Sequence, residues 1–361
     1  MTAARGHDTL PPLMPAPVRR VLVHRAGGYE RLVVTQMAGD PVGPGQVRID
    51  VEAAGVNYAD CIVRMGLYSS AKKYVGWPIT PGFEVAGRVV EVGDGVDDLS
   101  EGDSVMAVTR FGGYTDSLVV PRHQVFARPR GFSAEQAAAF CAVHLTAYYA
   151  VVELAQLPRP GATILVHSAA GGVGTALCTI GRHLGARVIG VVGGAHKVAT
   201  AQAAGAHVVI DKAHAELWAR ADAEAPEGYD AIFDANGVAT LRDSYRRIRP
   251  TGRLVVYGFA TMLPRAGQRR SWLRLAWHWL RTPRFDPLAL TTENRSVMGF
   301  NLSYLFEHAD VLEHSMSTLL AWADEGVLRP PPTSTFPLAD VAAAHRSIES
   351  GRTVGKLVLV P

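Results

Sequence analysis

At 361 residues, with 48% hydrophobic and 19% charged side chains, the chain has room for two domains with apolar cores and is expected to be soluble and cytoplasmic. A net charge of +3 is too small for a nucleic-acid-binding protein, and no apolar run reaches the roughly 18 residues of a membrane span. The three cysteines, Cys61, Cys141 and Cys178, are widely spaced, so they offer no Cys-x-x-Cys metal motif and no disulfide framework.

Residues 1–17, rich in Pro, Ala and Gly, read as a flexible N-terminal extension. From residue 18 to about 120 short strands alternate with turns. Segments 21–24 and 32–34 suit a hairpin, 46–52 alternates like a half-exposed strand, and 85–92, 103–108 and 112–121 continue the pattern. Residues 133–152 are Ala-rich and predict one helix with Ser133 as N-cap. Strands and helices then alternate, with strands at 163–167, 187–192, 207–210, 230–234 and 253–258 and a final strand at 297–302. This is the signature of an α/β chain with a doubly wound parallel sheet, whose ligand lies at the C-terminal ends of the strands. Helix 307–325 and strand 354–360 are expected to return to the first domain. The division predicted is 18–147 with 303–361 for the β-rich domain and 148–302 for the parallel-sheet domain.

The most informative stretch follows strand 163–167. Ala170, Gly171, Gly172, Val173 and Gly174 form a tight turn, and 175–184 reads as a helix that stops at Gly185. Residues without side chains let backbone approach a pyrophosphate, and the free N–H groups of a helix start face it. A dinucleotide selective for NAD needs an acid about 20 residues further on, to hold the ribose 2′-hydroxyl. No carboxylate occurs between Glu153 and Asp211; Gly193 holds that corner, and Lys197 and Lys212 follow. Cations without an anion suit a 2′-phosphate, so NADPH is the cofactor expected.

Further motifs carry a family resemblance. Val56-Asn-Tyr-Ala-Asp60, Arg64-Met-Gly66, Pro81-Gly-Phe-Glu-Val-Ala-Gly87, Gly102-Asp103, Gly113-Tyr114 and the glycine turn together resemble the zinc-independent quinone oxidoreductases of the medium-chain dehydrogenase/reductase superfamily. Tyr257-Gly-Phe-Ala260 and Met298-Gly-Phe-Asn-Leu302 are similar to the branch of synaptic vesicle amine transport protein homologues. The resemblance implies a GroES-like catalytic domain beside a Rossmann domain, with hydride passing from NADPH to a quinone or α,β-unsaturated carbonyl in the cleft between them. It also implies a homodimer paired through strand edges near 297–302. Metal is not expected: Asn57 stands where zinc-dependent relatives carry a cysteine and Phe83 where they carry a histidine, and the four-cysteine lobe is absent.

By the same resemblance Asn57 polarises the acceptor, its amide donating to a developing oxyanion. The tyrosine that assists in the family is replaced by Ile62; Tyr58 and Tyr68 lie nearby in sequence. Further cofactor contacts are implied at Asn236, Tyr257, Gly258, Phe300, Asn301 and Lys356. Asp60 and Arg64 read as a structural pair, and His144 as a core histidine. The loss at Ile62 keeps open a nucleotide-binding, membrane-associated regulatory protein with little catalysis, as well as a biosynthetic enoyl reductase.

One insert, 264–290, is basic and aromatic: 264–284 carries six arginines, no acid, and Trp272, Trp277 and Trp279. Trp272, Leu275, Trp279 and Leu280 recur at helical spacing, opposite Arg270, Arg274 and Arg281. Such a helix packs on its own protein, covers the cleft as a lid, packs on a partner subunit, or makes a peripheral contact with an anionic membrane.

Overall fold

The computed structural model describes residues 16–262 and 272–361; most of the N-terminal extension and the first part of the basic insert lie outside them. Six strands form an entirely parallel sheet in the order Val208–Asp211, Arg187–Val192, Thr163–His167, Tyr229–Asp234, Ile248–Val256, Ser296–Gly299. The strand that comes first in sequence lies in the middle, and the winding reverses beside it. That reversal opens a crevice beyond the C-terminal ends of Thr163–His167 and Tyr229–Asp234. The expected strands are all present, but the fifth starts earlier, at Ile248, and the last ends at Gly299 rather than at residue 302.

The other large sheet is built from Thr333–Pro337, Lys356–Val360, Gln46–Val56, Glu84–Val92, Ser104–Val108 and Val125–Ala127, with Ser117–Pro121 also paired to Gln46–Val56. Pro17–Leu22 and Val33–Ala38 form the predicted hairpin. The C-terminal strand returns to this sheet, as the sequence suggests, and its register decides the site. Leu357 pairs with Val56 and Ala54 with Val85. Residues 356, 57 and 84, at the ends of three adjacent strands, are therefore neighbours.

The Ala-rich segment 133–152 is not one helix. It divides into Ala134–Ala138, capped by Ser133, and Cys141–Tyr148, followed by a wider turn over Tyr149–Leu154. At the break, the Ala142 N–H donates to Glu84 Oε2 at 2.7 Å, a tertiary bond that local propensity does not reveal. The second of these helices ties the two sheets together. Phe140 and Leu145 belong to one buried cluster that reaches Ala53 and Met106 on one side and Ile164 and Phe233 on the other. Each such buried side chain contributes roughly 1.5–3 kcal/mol, enough in sum to hold the cleft between the sheets in one geometry.

Candidate active site

The turn after Thr163–His167 is tighter than predicted. The helix begins at Gly172, not at residue 175, and runs to His183. Gly171 N–H donates to Ser168 O at 2.9 Å to close the turn, and Thr175 N–H donates to Gly171 O at 2.8 Å as the first helical bond. The N–H groups of Gly172, Val173 and Gly174 are those that a helix start leaves for a ligand. Ala170 is buried beneath them. A Cβ on Gly174 would stand 2.2 Å from Ser168 O, so this glycine serves the packing of helix against strand end. A Cβ on Gly172 would meet Val143 Cγ1 at 3.0 Å and Lys356 Cδ at 3.5 Å, on the cavity side.

That cavity has a volume of about 1000 Å³ and is largely apolar in its walls. Asn57, Tyr58, Ile62 and Tyr68 line it from the β-rich side, and Ser168, Gly171, Gly172, Val173, Gly174, Tyr257, Gly258, Phe300 and Asn301 from the other. Phe300 lines the cavity while also packing against the core, tilted to Tyr149 with 5.0 Å between ring centroids.

At its floor the three strand ends converge. Asn57 Nδ2 donates to Glu84 Oε1 at 2.9 Å, while Lys356 Nζ donates to Asn57 Oδ1 at 2.7 Å and to Glu84 Oε1 at 2.5 Å. Glu84 is fully buried and Lys356 is 5% exposed. Gly55 lacks a side chain for a reason: a Cβ there would lie 2.2 Å from Ala138 O and 2.6 Å from Glu84 Oε1. Lys356, expected among the cofactor contacts, lines the cavity but gives its ammonium to Asn57 and Glu84. Glu84 went unnoticed in the sequence. Its signal is a carboxylate at the head of the apolar run Val85–Gly87, which requires a partner of opposite charge once buried.

Tyr68 reaches across the cleft. Its hydroxyl donates to Asn301 Oδ1 at 2.9 Å and lies 3.1 Å from Ser303 Oγ, and burial raises its pKa above the usual value. Tyr58 is likewise shifted up by burial. Ile62 supplies only an apolar wall.

The cleft is also roofed. Helix Trp272–Arg281 and the loop after it bring Leu275, Thr282, Pro283 and Phe285 to the cavity. The apolar face expected of this helix is split: Leu275 turns inward, whereas Trp279 and Leu280 are exposed, as are Leu273 and Trp277. Of the expected basic face, Arg281 stacks over the Trp277 ring at 5.7 Å, and Arg270 lies outside the described residues.

Gly193, Lys197 and Lys212 stand at the ends of the next two strands rather than in the cavity wall. A Cβ on Gly193 would lie 3.9 Å from Lys212 Cε. Burial, reinforced by the charge of Lys212, holds Lys197 below its ordinary pKa, and its Nζ donates to Gly351 O at 2.6 Å. Two ammonium groups that oppose one another favour an anion between them. Asp211 is the nearest acid in sequence, and its carboxylate is taken by Ala213 N–H and His214. Asn236 is buried behind Ser168, whose Oγ donates to its Oδ1 at 3.2 Å, and is not among the residues that line the cavity. Asp234 fixes that loop through four donors, the Asn236 and Gly237 N–H groups and the Thr240 and Ser244 hydroxyls.

Asp60 and Arg64 do not pair with each other. Asp60 accepts from Asn57 N–H, Gly82 N–H and the Tyr114 hydroxyl, while burial pushes its pKa up to about 7. Arg64 instead binds Glu349 at 2.8 Å and approaches His345 at 3.3 Å. Among the described residues one trio of metal-ligand types lies close together, Cys61, His345 and Glu349, all buried. The guanidinium on two of them opposes a second cation there. His144 is a satisfied core histidine as expected: Nδ1 lies 2.8 Å from Phe140 O, and the ring stacks on Phe140.

A Rossmann sheet joined to a GroES-like one, with a glycine turn facing their shared cleft, defines a medium-chain dehydrogenase/reductase. Two family models match: an alcohol dehydrogenase GroES-like domain over residues 43–130 and a zinc-binding dehydrogenase domain over residues 204–359. The synaptic vesicle membrane protein VAT-1 homolog of Rattus norvegicus is 33% identical over 96% of this chain and 84% of its own length. A 2-haloacrylate reductase of Burkholderia sp is 30% identical, covering 95% of this chain and 99% of that protein. The crystal structure of Escherichia coli quinone oxidoreductase complexed with NADPH superimposes with a TM-score of 0.82 at 26% identity, over 95% of this chain and 100% of that one. The chain belongs to the medium-chain dehydrogenase/reductase superfamily, within which it resembles the quinone oxidoreductases and the VAT-1 homologues; it is an oxidoreductase.

Proposed function

We propose that the protein is a zinc-independent, NADPH-dependent reductase that transfers hydride to a quinone or an α,β-unsaturated carbonyl. The observation that carries this reading is the meeting, in one largely apolar cavity, of a helix-start anion cradle at Gly172–Gly174 with the Asn57 carboxamide. The residues fit a dinucleotide: backbone is bare at Gly171 and Gly172, and Lys197 and Lys212, beyond the next two strands, supply cations for a 2′-phosphate. The complex of the Escherichia coli relative with NADPH supports the same choice.

Bound there, the cofactor supplies a hydride. The protein's own residues orient the acceptor and exclude water. Tyr257, Gly258 and Phe300 wall the reacting space, Tyr68 and Asn301 bridge it, and Leu275 and Phe285 close it from outside. Zinc does not fit. A carboxamide and a phenyl ring are poor ligands, and the Lys356 ammonium already occupies the side of Asn57 and Glu84 from which a cation would be held.

The domain division at about residues 147 and 303, a homodimer paired at the free edge of Ser296–Gly299, and a cytoplasmic setting belong to the same proposal. Among the described residues no helix is long and apolar enough to cross a membrane. A second reading, peripheral membrane contact, draws on exposed Leu273, Trp277, Trp279 and Leu280. Equal recovery of wild type and a 264–284 deletion from anionic liposomes would remove it. The primary test is steady-state NADPH oxidation against a panel of quinones and enals, with NADH as control. Turnover with NADPH on at least one class is expected; a preference for NADH by about tenfold would sink the cofactor assignment.

A further inference from the structure

A carbonyl oxygen that gains charge during reduction needs donors that are already in place. The cavity offers few. Ile62 has none, and the Tyr68 hydroxyl is spent on Asn301 and Ser303. Tyr58 carries a hydroxyl and Asn301 a carboxamide, but the N–H at the floor of the cavity belongs to Asn57. Beside it, however, stands a buried cation. Lys356 Nζ is 2.7 Å from Asn57 Oδ1 and 2.5 Å from Glu84 Oε1, and its stem passes the glycine turn, 3.5 Å from where a Gly172 Cβ would be. An ammonium has three N–H donors and a carboxamide two. Lys356 gives two to these partners and Asn57 gives one to Glu84, which leaves one N–H on each of two adjacent groups lining the cavity.

We infer that Lys356 is a catalytic residue: with Asn57 Nδ2 it holds the acceptor's carbonyl oxygen, and it delivers the proton that accompanies hydride. This rests on the reductase reading above and assigns its electrophile. When hydride from the reduced nicotinamide arrives on the β-carbon of an enal, the C=C pair moves to form the C=C of an enolate and the carbonyl π pair moves to oxygen. A Lys356 N–H bond then breaks, its proton passes to that oxygen, and the electron pair remains on Nζ. The enol becomes the saturated carbonyl, the oxidised dinucleotide leaves, and water returns a proton to Nζ. For a quinone the same hydride and proton give the hydroquinone. Glu84 keeps the ammonium in place and compensates its charge; Gly55 makes room for that carboxylate.

The alternative is that Lys356 serves only as a ligand of the cofactor's phosphates, and the test separates the two. Lys356→Met and Lys356→Arg are compared with wild type, together with Lys356→Met/Glu84→Gln, which avoids a buried unpaired carboxylate and is read in the same way if the single variant does not fold. NADPH affinity is measured by fluorescence titration, and 4-nitrophenol is titrated into the NADP+ complex, its absorbance reporting phenol or phenolate. The methionine variant is expected to lose about 100-fold or more in kcat while its NADPH Kd stays within about threefold. The wild type should bind 4-nitrophenol as the phenolate, the methionine variants as the phenol, and the arginine variant as the phenolate. A methionine variant that retains wild-type kcat, or whose NADPH affinity falls as far as its kcat, would overturn the assignment. A wild type that binds the phenolate yet reduces no acceptor would count against the reductase reading alone.

Discussion

Replacing Gly174 by alanine tests the cradle through a contact that cannot relax cheaply. The new Cβ would lie 2.2 Å from Ser168 O and 2.8 Å from Ala169 Cα, both backbone atoms, where ordinary contact begins near 3.4 Å. The helix start must therefore move about 1 Å away from the strand end, an overpacking that costs about 1–3 kcal/mol in stability. The same shift misaligns the free N–H groups of Gly172 to Gly174. Losing one or two charge-assisted hydrogen bonds of about 1.5 kcal/mol each weakens NADPH binding by about 10- to 100-fold. Gly172→Ala separates the two effects: its Cβ meets only the side chains of Val143 and Lys356, at 3.0 and 3.5 Å, which can turn aside, so stability should be kept, while the methyl group on the cavity side still hinders the approach of the pyrophosphate. Thermal unfolding and a fluorescence titration with NADPH give the two readouts. Wild-type NADPH affinity in Gly174→Ala, with the protein folded, would refute the claim that this helix start holds the cofactor.

Three further outcomes are expected. Lys197→Ala should lower the preference for NADPH over NADH by about tenfold with little change in NADH affinity, measured as the ratio of the two dissociation constants; an equal loss for both nucleotides would move the 2′-phosphate elsewhere. Arg64→Met leaves Glu349 buried with the Tyr29 hydroxyl and the Cys61 thiol as its remaining donors and should cost about 3 kcal/mol in urea unfolding, most of it recovered in Arg64→Met/Glu349→Gln. Stability should also fall in mild acid. Burial lowers the His144 pKa from 6.5 to about 4, so the unfolded chain takes up the proton first, and stability present above pH 6.5 is lost as pH falls toward 4. The difference is about 3 kcal/mol. His144→Leu should flatten that part of the pH–stability curve, and an unchanged slope would contradict it.

The parts of the site legible in the sequence are those encoded locally. A β-branched strand, bare turn and helix occupy consecutive residues, and Asn57 is recognisable from its immediate neighbours. The floor of the cavity is different. Glu84 and Lys356 are 272 residues apart in sequence, and only the antiparallel return of the last strand brings them together. The spacing of Asp60 and Arg64 suggests a helical pair, yet Gly82 N–H, Tyr114 and Glu349 win the competition because each buried charge must be satisfied wherever its side chain ends. The helix at residues 272–281 was readable from periodicity. Which side faces the protein was not, since leucines occur on both and, among the described side chains of that helix, Leu275 meets the cavity while Leu273, Trp277, Trp279 and Leu280 are exposed. The break near residue 140 is hidden for the same reason: alanine favours helix everywhere, and the Glu84 carboxylate that captures Ala142 N–H comes from a strand 58 residues away.

Hydride transfer itself is the claim on which the rest depends. NADPH carrying deuterium at C4 of the nicotinamide, incubated with the enzyme and an enal, tests it directly when the product is analysed by NMR. The account predicts a saturated carbonyl compound with deuterium on the β-carbon and a solvent-derived proton on the α-carbon. Product with no label from the cofactor, or with the label on the carbonyl carbon, would contradict it.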